Sequence, residues 1–179
     1  MTKVRNLLTG AMSVAAVSAI ATAACAQASD SQTTTSTGTI FQPIVLTKNS
    51  DLSFGTVVRP TSGSGTVTIA ASNGARSLTG SGALITGGPN VAAARAAYTV
   101  VGEGGQTFSI SVPANMNMAG PSSSSLAVTL TPTATTGALS NALGASGTQT
   151  FGVGGSIPIS NTTVSGAYSG TFNVTVAYN

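Results

Sequence analysis

The side chains that could perform catalysis are few in this sequence and widely spaced. There is no histidine, and the single cysteine, Cys25, lies near the amino terminus. The acidic residues Asp30, Asp51 and Glu103 fall in three separate regions. General acid–base catalysis needs two positioned titratable groups, and triad or zinc chemistry needs ligands that this sequence lacks. We therefore expect no enzyme, no metal site and no cofactor, so the function must lie in the architecture.

A glycine-rich run, Gly152-Val153-Gly154-Gly155, is the one stretch with some likeness to a phosphate-binding loop. It lacks the lysine and the following helix that such a loop requires. Glycines between two apolar runs are typical of turns. We therefore interpret this run as a flexible turn between strands.

The charge pattern argues against nucleic acid as a partner. The sequence has 6 Lys and Arg residues against 3 Asp and Glu residues, and its basic residues form no cluster. Nucleic-acid-binding surfaces concentrate Lys and Arg opposite the phosphates. A surface made of Ser, Thr, Gly and Asn offers little charge repulsion between copies, which favours an extracellular or self-associating protein.

The first 26 residues have the three parts of a secretory signal peptide. Lys3 and Arg5 precede an apolar, small-residue stretch, and Ala24-Cys25-Ala26 supplies a small-x-small cleavage site. The stretch is too short and too polar for a membrane anchor. Cleavage after Ala26 also removes Cys25, so we expect an exported protein without thiols in the periplasm, at the cell surface or outside the cell. A lipid-modified Cys25 is the alternative, although the residues before it lack the large aliphatic side chain that such sites favour.

Short alternations of apolar and polar residues organise the rest of the chain. Residues 27–39 form a polar arm rich in Thr and Ser, and residues 40–179 form a single domain. Runs such as 107–112 and 171–179 place an apolar side chain at every second position, which is the period of a β-strand. Asn73-Gly74 marks a hairpin, and Pro43 restricts its strand to a sheet edge or breaks it. The pattern predicts an all-β fold, an antiparallel β-sandwich.

Three further segments complete this interpretation. The alanine-rich residues 91–97 are the one candidate for a helix, of one or two turns. A loop rich in Ser, Gly and Pro precedes Leu126. Residues 171–179 show the cleanest alternation, and no later strand follows to cover the edge of this one. An open strand edge is a template for another chain.

Four runs, in this order, resemble an exported bacterial domain family of unknown function. They are Leu52-Ser53-Phe54-Gly55-Thr56, residues 105–110, residues 151–155 and residues 166–176, and they extend over nearly all of the mature chain. The motif of Leu52, Phe54 and Gly55, together with the final Tyr-Ser-x-Thr-x-x-Val-x-Val strand, is also similar to the spore-coat-U pilins of archaic chaperone-usher fibres.

The resemblance implies an immunoglobulin-like sandwich that lacks its last strand. In such pilins the amino-terminal arm of the next subunit fills the open groove by strand addition. The implied partners are further copies or related subunits, a periplasmic chaperone and an outer-membrane usher. The resemblance assigns the groove edge to Phe172, Val174, Val176 and Tyr178, and the donor strand to Thr33, Thr35, Thr37, Thr39, Ile40 and Phe41.

The sequence departs from the pilin pattern in two ways, so two alternatives remain open: the sandwich lacks a strand, or it is complete by itself. The arm offers mostly Thr, Ser and Gly before Ile40 and Phe41, whereas pilin donor strands alternate large apolar residues. Pro43 stands where the spore-coat-U pattern often has a cysteine. Two hypotheses follow. The chain is a structural subunit of a surface fibre or coat joined by strand addition, or it is a stand-alone secreted sandwich that binds a ligand or carbohydrate through residues 122–125 or 80–88.

Overall fold

The computed structural model of the chain describes residues 29–87 and 92–179. The predicted signal peptide, residues 1–26, lies outside the described residues, as do the first two residues of the predicted arm. The chain divides between Gly38 and Thr39 into two units, which are described separately. In the first unit, residues 29–38 carry no regular secondary structure, and the Gln32 amide donates a hydrogen bond to the Asp30 carboxylate at 3.4 Å.

The second unit, Thr39–Asn179, is all-β, and its strands pair in antiparallel fashion. Its sheets pack around one apolar core, so the predicted antiparallel β-sandwich is confirmed. The described residues contain no helix with the length and apolar character that a membrane crossing requires. The strands are β1 (Val45–Ser50), β2 (Val57–Val58), β3 (Ser64–Ile69), β4 (Arg76–Gly80), β5 (Ala83–Leu84), β6 (Ala96–Glu103), β7 (Thr107–Ser111), β8 (Asn115–Ala119), β9 (Ser125–Pro132), β10 (Thr136–Ala138), β11 (Ser146–Ser160) and β12 (Thr175–Tyr178).

The long strand β11 organises the larger sheet because it pairs with three other strands. Its residues 146–153 pair with β6, residues 155–160 with β3 and residues 153–156 with β9. Beyond these partners, β1 pairs with β6, β4 with β3 and β8 with β9. A smaller sheet has the order β10-β7-β12, and β2 pairs with β5.

The change of partner along β11 falls at the glycine-rich run, and the prediction of a flexible turn there was wrong. Residues 151–155 are all buried inside a continuous strand. A Cβ atom at Gly152 would lie 2.4 Å from the carbonyl oxygen of Ala71, and one at Gly154 would lie 2.2 Å from that of Ile69. Glycine is required here because neighbouring backbones approach closely, not because the chain reverses.

The core lies between the sheets and is built from the alternating side chains that the sequence indicated. The largest fully buried side chain is Phe108 in β7, which belongs to the same core cluster as residues of the larger sheet. The hairpin prediction at Asn73-Gly74 was correct, since the turn joins β3 to β4 and Gly74 has a φ of 75°. The next largest side chains that are less than 2% exposed are Ile69, Val67, Val100, Val128 and Val153.

Two further segment predictions were wrong. The described part of the alanine-rich run, residues 92–97, contains no helix: Ala94 forms an isolated bridge with Ser53, and β6 begins at Ala96. Val91 lies outside the described residues. Part of the loop predicted before Leu126 is strand β8, whose pairing with β9 supplies the ladder. In both places long-range pairing overrides the local preference of the residues.

Candidate functional site

The motif Leu52, Phe54 and Gly55 lies between β1 and β2 and forms one side of a groove. Phe54 is buried, and Gly55 has a φ of 64°, a left-handed conformation that favours glycine. The guanidinium of Arg76 holds this segment because it donates hydrogen bonds to the carbonyl oxygens of Phe54, at 2.9 Å, and Thr56, at 3.1 Å. The motif is therefore a fixed wall.

The groove consists of two adjoining cavities that share Phe54 and Met118 in their linings. The first has a volume of about 190 Å³ and the second of about 550 Å³. Residues 51–59 line one side, which we call the first bank, and residues 163–172 line the other, the second bank. The floor consists of apolar side chains from three strands: Met116, Met118, Leu126, Val128, Ile157 and Ile159.

The four residues predicted as the groove edge share one face of the terminal segment. All four are half-buried, alternate with exposed residues and pack against the core. The structure brings one of them into the cavity walls, since Phe172 lines the first cavity. The other three, Val174, Val176 and Tyr178, extend the same apolar face beyond that cavity.

The backbone of this terminal segment is paired along one edge. Strand β12 pairs with β7, from Thr175 opposite Ser111 to Tyr178 opposite Phe108, and it ends the order of its sheet. Strand β1 pairs with β6 and is the first strand in the order β1-β6-β11-β3-β4 of the larger sheet. Within residues 29–87 and 92–179, the outer edges of β1 and β12 therefore have no strand partner.

Phe41 and Gln42, which follow the arm and which we call the arm root, are held in place by Tyr178 and by the buried carboxylate of Glu103. The Phe41 ring lies 5.9 Å from the Tyr178 ring, and the Tyr178 hydroxyl donates to the Gln42 carbonyl at 2.9 Å. Glu103 is 2% exposed, and its Oε2 accepts a hydrogen bond from the Gln42 amide at 3.1 Å. Its Oε1 accepts one from the amide of Gly144. Sequence reasoning missed this role of Glu103, although a lone acid at a strand end before two glycines was the available signal.

The structure separates the residues predicted as the donor strand. Thr33, Thr35 and Thr37 lie in the first unit, and all three are exposed and outside any strand. In the second unit, Ile40 is 93% exposed, whereas Phe41 contacts Tyr178 of its own chain. Thr39 is exposed as well.

Two polar contacts lie at the rim of the groove. Arg59 of the first bank donates from Nη1 to the carbonyl of Thr163 in the second bank at 2.7 Å, so it ties the banks together. Lys48 and Asp51 form an ion pair at 2.5 Å beside the first cavity. The hydrogen bond with Asp51 raises the pKa of the Lys48 ammonium. Neither contact was predicted from the sequence.

Tyr98 lines the first cavity from β6 and stacks on Phe151 of β11, with 5.2 Å between the ring centroids. Burial raises the pKa of the Tyr98 phenol.

The described part of the chain brings together no group of three or more His, Cys, Asp or Glu side chains that could hold a metal ion. The floor of the groove presents apolar side chains from β8, β9 and β11.

The two loops of the ligand-binding hypothesis lie outside the linings of both cavities. Ser122 and Ser123 have φ angles of 52° and 59°, in a short 3-10 turn. The Ser124 hydroxyl is engaged with the Pro121 carbonyl at 2.6 Å. Gly88, the last residue of the second loop, lies outside the described residues.

Comparison with known proteins places this sandwich in a family. No curated protein and no solved structure matches the chain. One family model matches residues 44–178, which include every strand of the second unit. The chain therefore belongs to the family described as Domain of unknown function (DUF4402).

Proposed function

We propose that this chain is a non-enzymatic structural subunit of a bacterial surface fibre or coat. The arm of one copy adds as a strand to the groove of the next copy. In strand addition the main-chain hydrogen bonds supply the affinity and alternate side chains set the register. The subunit needs no catalytic group, cofactor or metal for this role.

The observation that carries the proposal is a groove with an apolar floor, together with two strand edges that have no strand partner among the described residues. Phe172, Met116 and Met118 remain half-buried although they pack against the core. An added strand would cover these side chains and pair with the outer edge of β12. Covering apolar surface contributes about 25 cal/mol per Å², and pairing removes an edge that promotes aggregation.

The arm of a second copy has the length and composition for this site. Its residues 29–38 would span about 33 Å if extended, and residues 171–178 of the acceptor would span about 26 Å. Thr side chains favour strands, and their methyl groups can face an apolar floor. All of residues 29–41 are exposed in the single chain, so the arm is available for pairing.

Strand direction favours a second copy over the chain's own arm. The last residue of β12, Tyr178, forms a hydrogen bond with Gln42, and β1 begins three residues after Gln42. The end of β12 therefore lies near the start of β1, and the two strands run in opposite directions. An arm folding back onto its own groove from Phe41 would lie parallel to β12. A strand from another copy can lie antiparallel to β12, and antiparallel pairing is slightly more stable per residue.

This proposal also includes the implications of the resemblance to spore-coat-U pilins. The sandwich would be immunoglobulin-like and lack its last strand. The signal peptide would export the chain, and a periplasmic chaperone and an outer-membrane usher would guide its assembly. The open edge of β12 supports this proposal because such an edge would need protection before assembly.

The test is to export the chain by means of its signal peptide and to separate the mature product, residues 27–179, on an SDS gel without boiling. We expect a ladder of polymers that collapses to monomer on heating. Deleting residues 29–38 should abolish the ladder while leaving the sandwich domain folded, since that deletion keeps Phe41 and Gln42. Circular dichroism melting of both proteins verifies the fold.

A matched pair of variants separates backbone pairing from a nonspecific effect of the arm. Thr35→Pro with Thr37→Pro should abolish the ladder of polymers on the gel. Proline has no backbone N–H, so it cannot donate a hydrogen bond to a neighbouring strand. Thr35→Val with Thr37→Val should keep the ladder. Unchanged polymers after the arm deletion would refute strand addition. A cooperative monomer that binds a sugar saturably would instead support the stand-alone ligand-binding sandwich.

A further inference from the structure

The groove floor contains the most readily oxidised side chains of the mature protein. Of the 4 methionines, Met1 and Met12 lie in the predicted signal peptide, and Met116 and Met118 lie in β8. Residues 27–179 have no cysteine or tryptophan, and the sequence has no histidine. An oxidant that reaches the mature protein therefore meets these two thioethers as its principal two-electron targets.

Both methionines are placed where an oxidant can reach them and where a change would affect the groove. They are two residues apart in a strand, so they point to the same face, and both are half-buried. Met118 lines both cavities, and Met116 lines the first. The Met116 methyl group lies close to the second bank, since a Cβ atom at Gly170 would be 2.7 Å from it.

We propose that Met116 and Met118 form an oxidation site through which hydrogen peroxide blocks the groove. The sulfur attacks one peroxide oxygen, a sulfur–oxygen bond forms and the oxygen–oxygen bond breaks. Sulfur loses two electrons and becomes the sulfoxide, and the other peroxide oxygen leaves as water. A dithiol acting through methionine sulfoxide reductases restores the thioether and releases water and a disulfide.

Oxidation changes the groove because it turns an apolar floor into a polar one. A sulfoxide oxygen is a hydrogen-bond acceptor, and an added strand would bury it among Val128, Leu126 and Phe172. Burying a polar group without a partner is unfavourable. This inference rests on the proposed function, since it assumes that the groove is the site of strand addition.

The experiment compares assembly before and after peroxide treatment. Monomer dissociated by heating and refolded is exposed to hydrogen peroxide, and peptide mass spectrometry measures oxygen addition at Met116 and Met118. We expect both to be oxidised and the yield of heat-sensitive polymer to fall by roughly tenfold or more, as one unpartnered buried polar group can cause. Methionine sulfoxide reductases with a dithiol should restore the yield.

The matched control is Met116→Leu with Met118→Leu, a volume-conserving change that cores tolerate well. The polymer yield of this variant is compared with that of its own untreated sample, and peroxide should not change it. Equal assembly of oxidised and untreated parent protein would overturn the inference alone, as would peroxide sensitivity of the leucine variant. A lack of assembly by the untreated parent protein would overturn the proposed function and this inference with it.

Discussion

A single alanine at Gly154 tests the central role of β11. A Cβ atom at Gly154 would lie 2.2 Å from the Ile69 carbonyl oxygen and 2.6 Å from the Ala71 amide nitrogen. Ordinary contacts between nonbonded heavy atoms lie at about 3.5–4.0 Å. Strand β3 would therefore have to move away from β11 by more than about 1 Å. This displacement would occur where β11 changes its pairing among β6, β9 and β3.

The size of the effect follows from the cost of overpacking. Inserting a methyl group into a closely packed interior typically costs about 1–3 kcal/mol. For a protein of this size, each kcal/mol lowers the Tm by about 2–4 °C. We therefore expect Gly154→Ala to lower the Tm of residues 27–179 by about 2–12 °C, taking the two ranges together.

The assay is thermal unfolding followed by circular dichroism, with Gly38→Ala as the matched control. A Cβ atom at Gly38 would meet nothing within 4 Å, so that variant should melt like the parent protein. An unchanged Tm for Gly154→Ala would refute the close approach of β3 to β11. It would instead support the flexible turn that the glycine-rich sequence suggests.

Two further predictions concern the arm root and the first cavity. Glu103→Gln should reduce the free energy of unfolding by about 1–3 kcal/mol, because its amide group would face one of two backbone N–H donors; urea unfolding measures this, and an unchanged midpoint would contradict it. The pKa of Tyr98 is raised in the folded state, so its contribution to stability should be present below pH 10.0, its ordinary pKa, and lost as the pH rises through the folded pKa. The pKa of Lys48 is also raised in the folded state, so its contribution to stability should likewise be lost as the pH rises above 10.5, its ordinary pKa. Tyr98→Phe should therefore flatten the alkaline decline of the Tm, and an equally steep decline would argue against burial as the cause.

The fold class was predictable because alternation follows from strand geometry. Thr107 to Val112 alternates hydroxyl and apolar residues, and the structure buries Phe108 and Ile110 as that pattern requires. Pro43 was likewise a reliable signal, since β1 begins at Val45 and ends the order of its sheet. These features depend on a few neighbouring residues, so one sequence is enough to find them.

The errors share a physical cause, because each depends on a distant part of the chain. Alanines before Tyr98 have high helix propensity, yet Ala96 is 1% exposed in β6, where a small side chain fits the core. Glycine-rich runs such as residues 152–155 are common in turns, but here Gly152 and Gly154 admit the backbone of residues 69–71 at the end of β3. Met116 and Met118 gave a weak strand signal because methionine has no β-branch. Local propensity cannot report which backbone will lie alongside.

The same limit applied to the candidate site. Alternation identified Phe172 and its neighbours as one apolar face, but not the opposite bank or the floor that together with Phe172 make a groove. The tie between Arg59 and Thr163 joins positions that are 104 residues apart. Sequence pattern can reveal one side of such a site, whereas the cavity itself follows from the topology.

The charges clarify what kind of association this surface favours. The Arg59, Arg76 and Arg95 guanidiniums all donate to backbone carbonyls of their own domain, and Lys48 pairs with Asp51. These groups act as internal ties, so little charge is left to select a partner. Among residues 29–87 and 92–179, the outer edges of β1 and β12 have no strand partner. Backbone pairing at such an edge places few demands on the sequence of the added strand. Under the proposed function, a threonine-rich arm would be sufficient for such a site, because the apolar floor would set its register and its own side chains would need only to be small and favourable to strands.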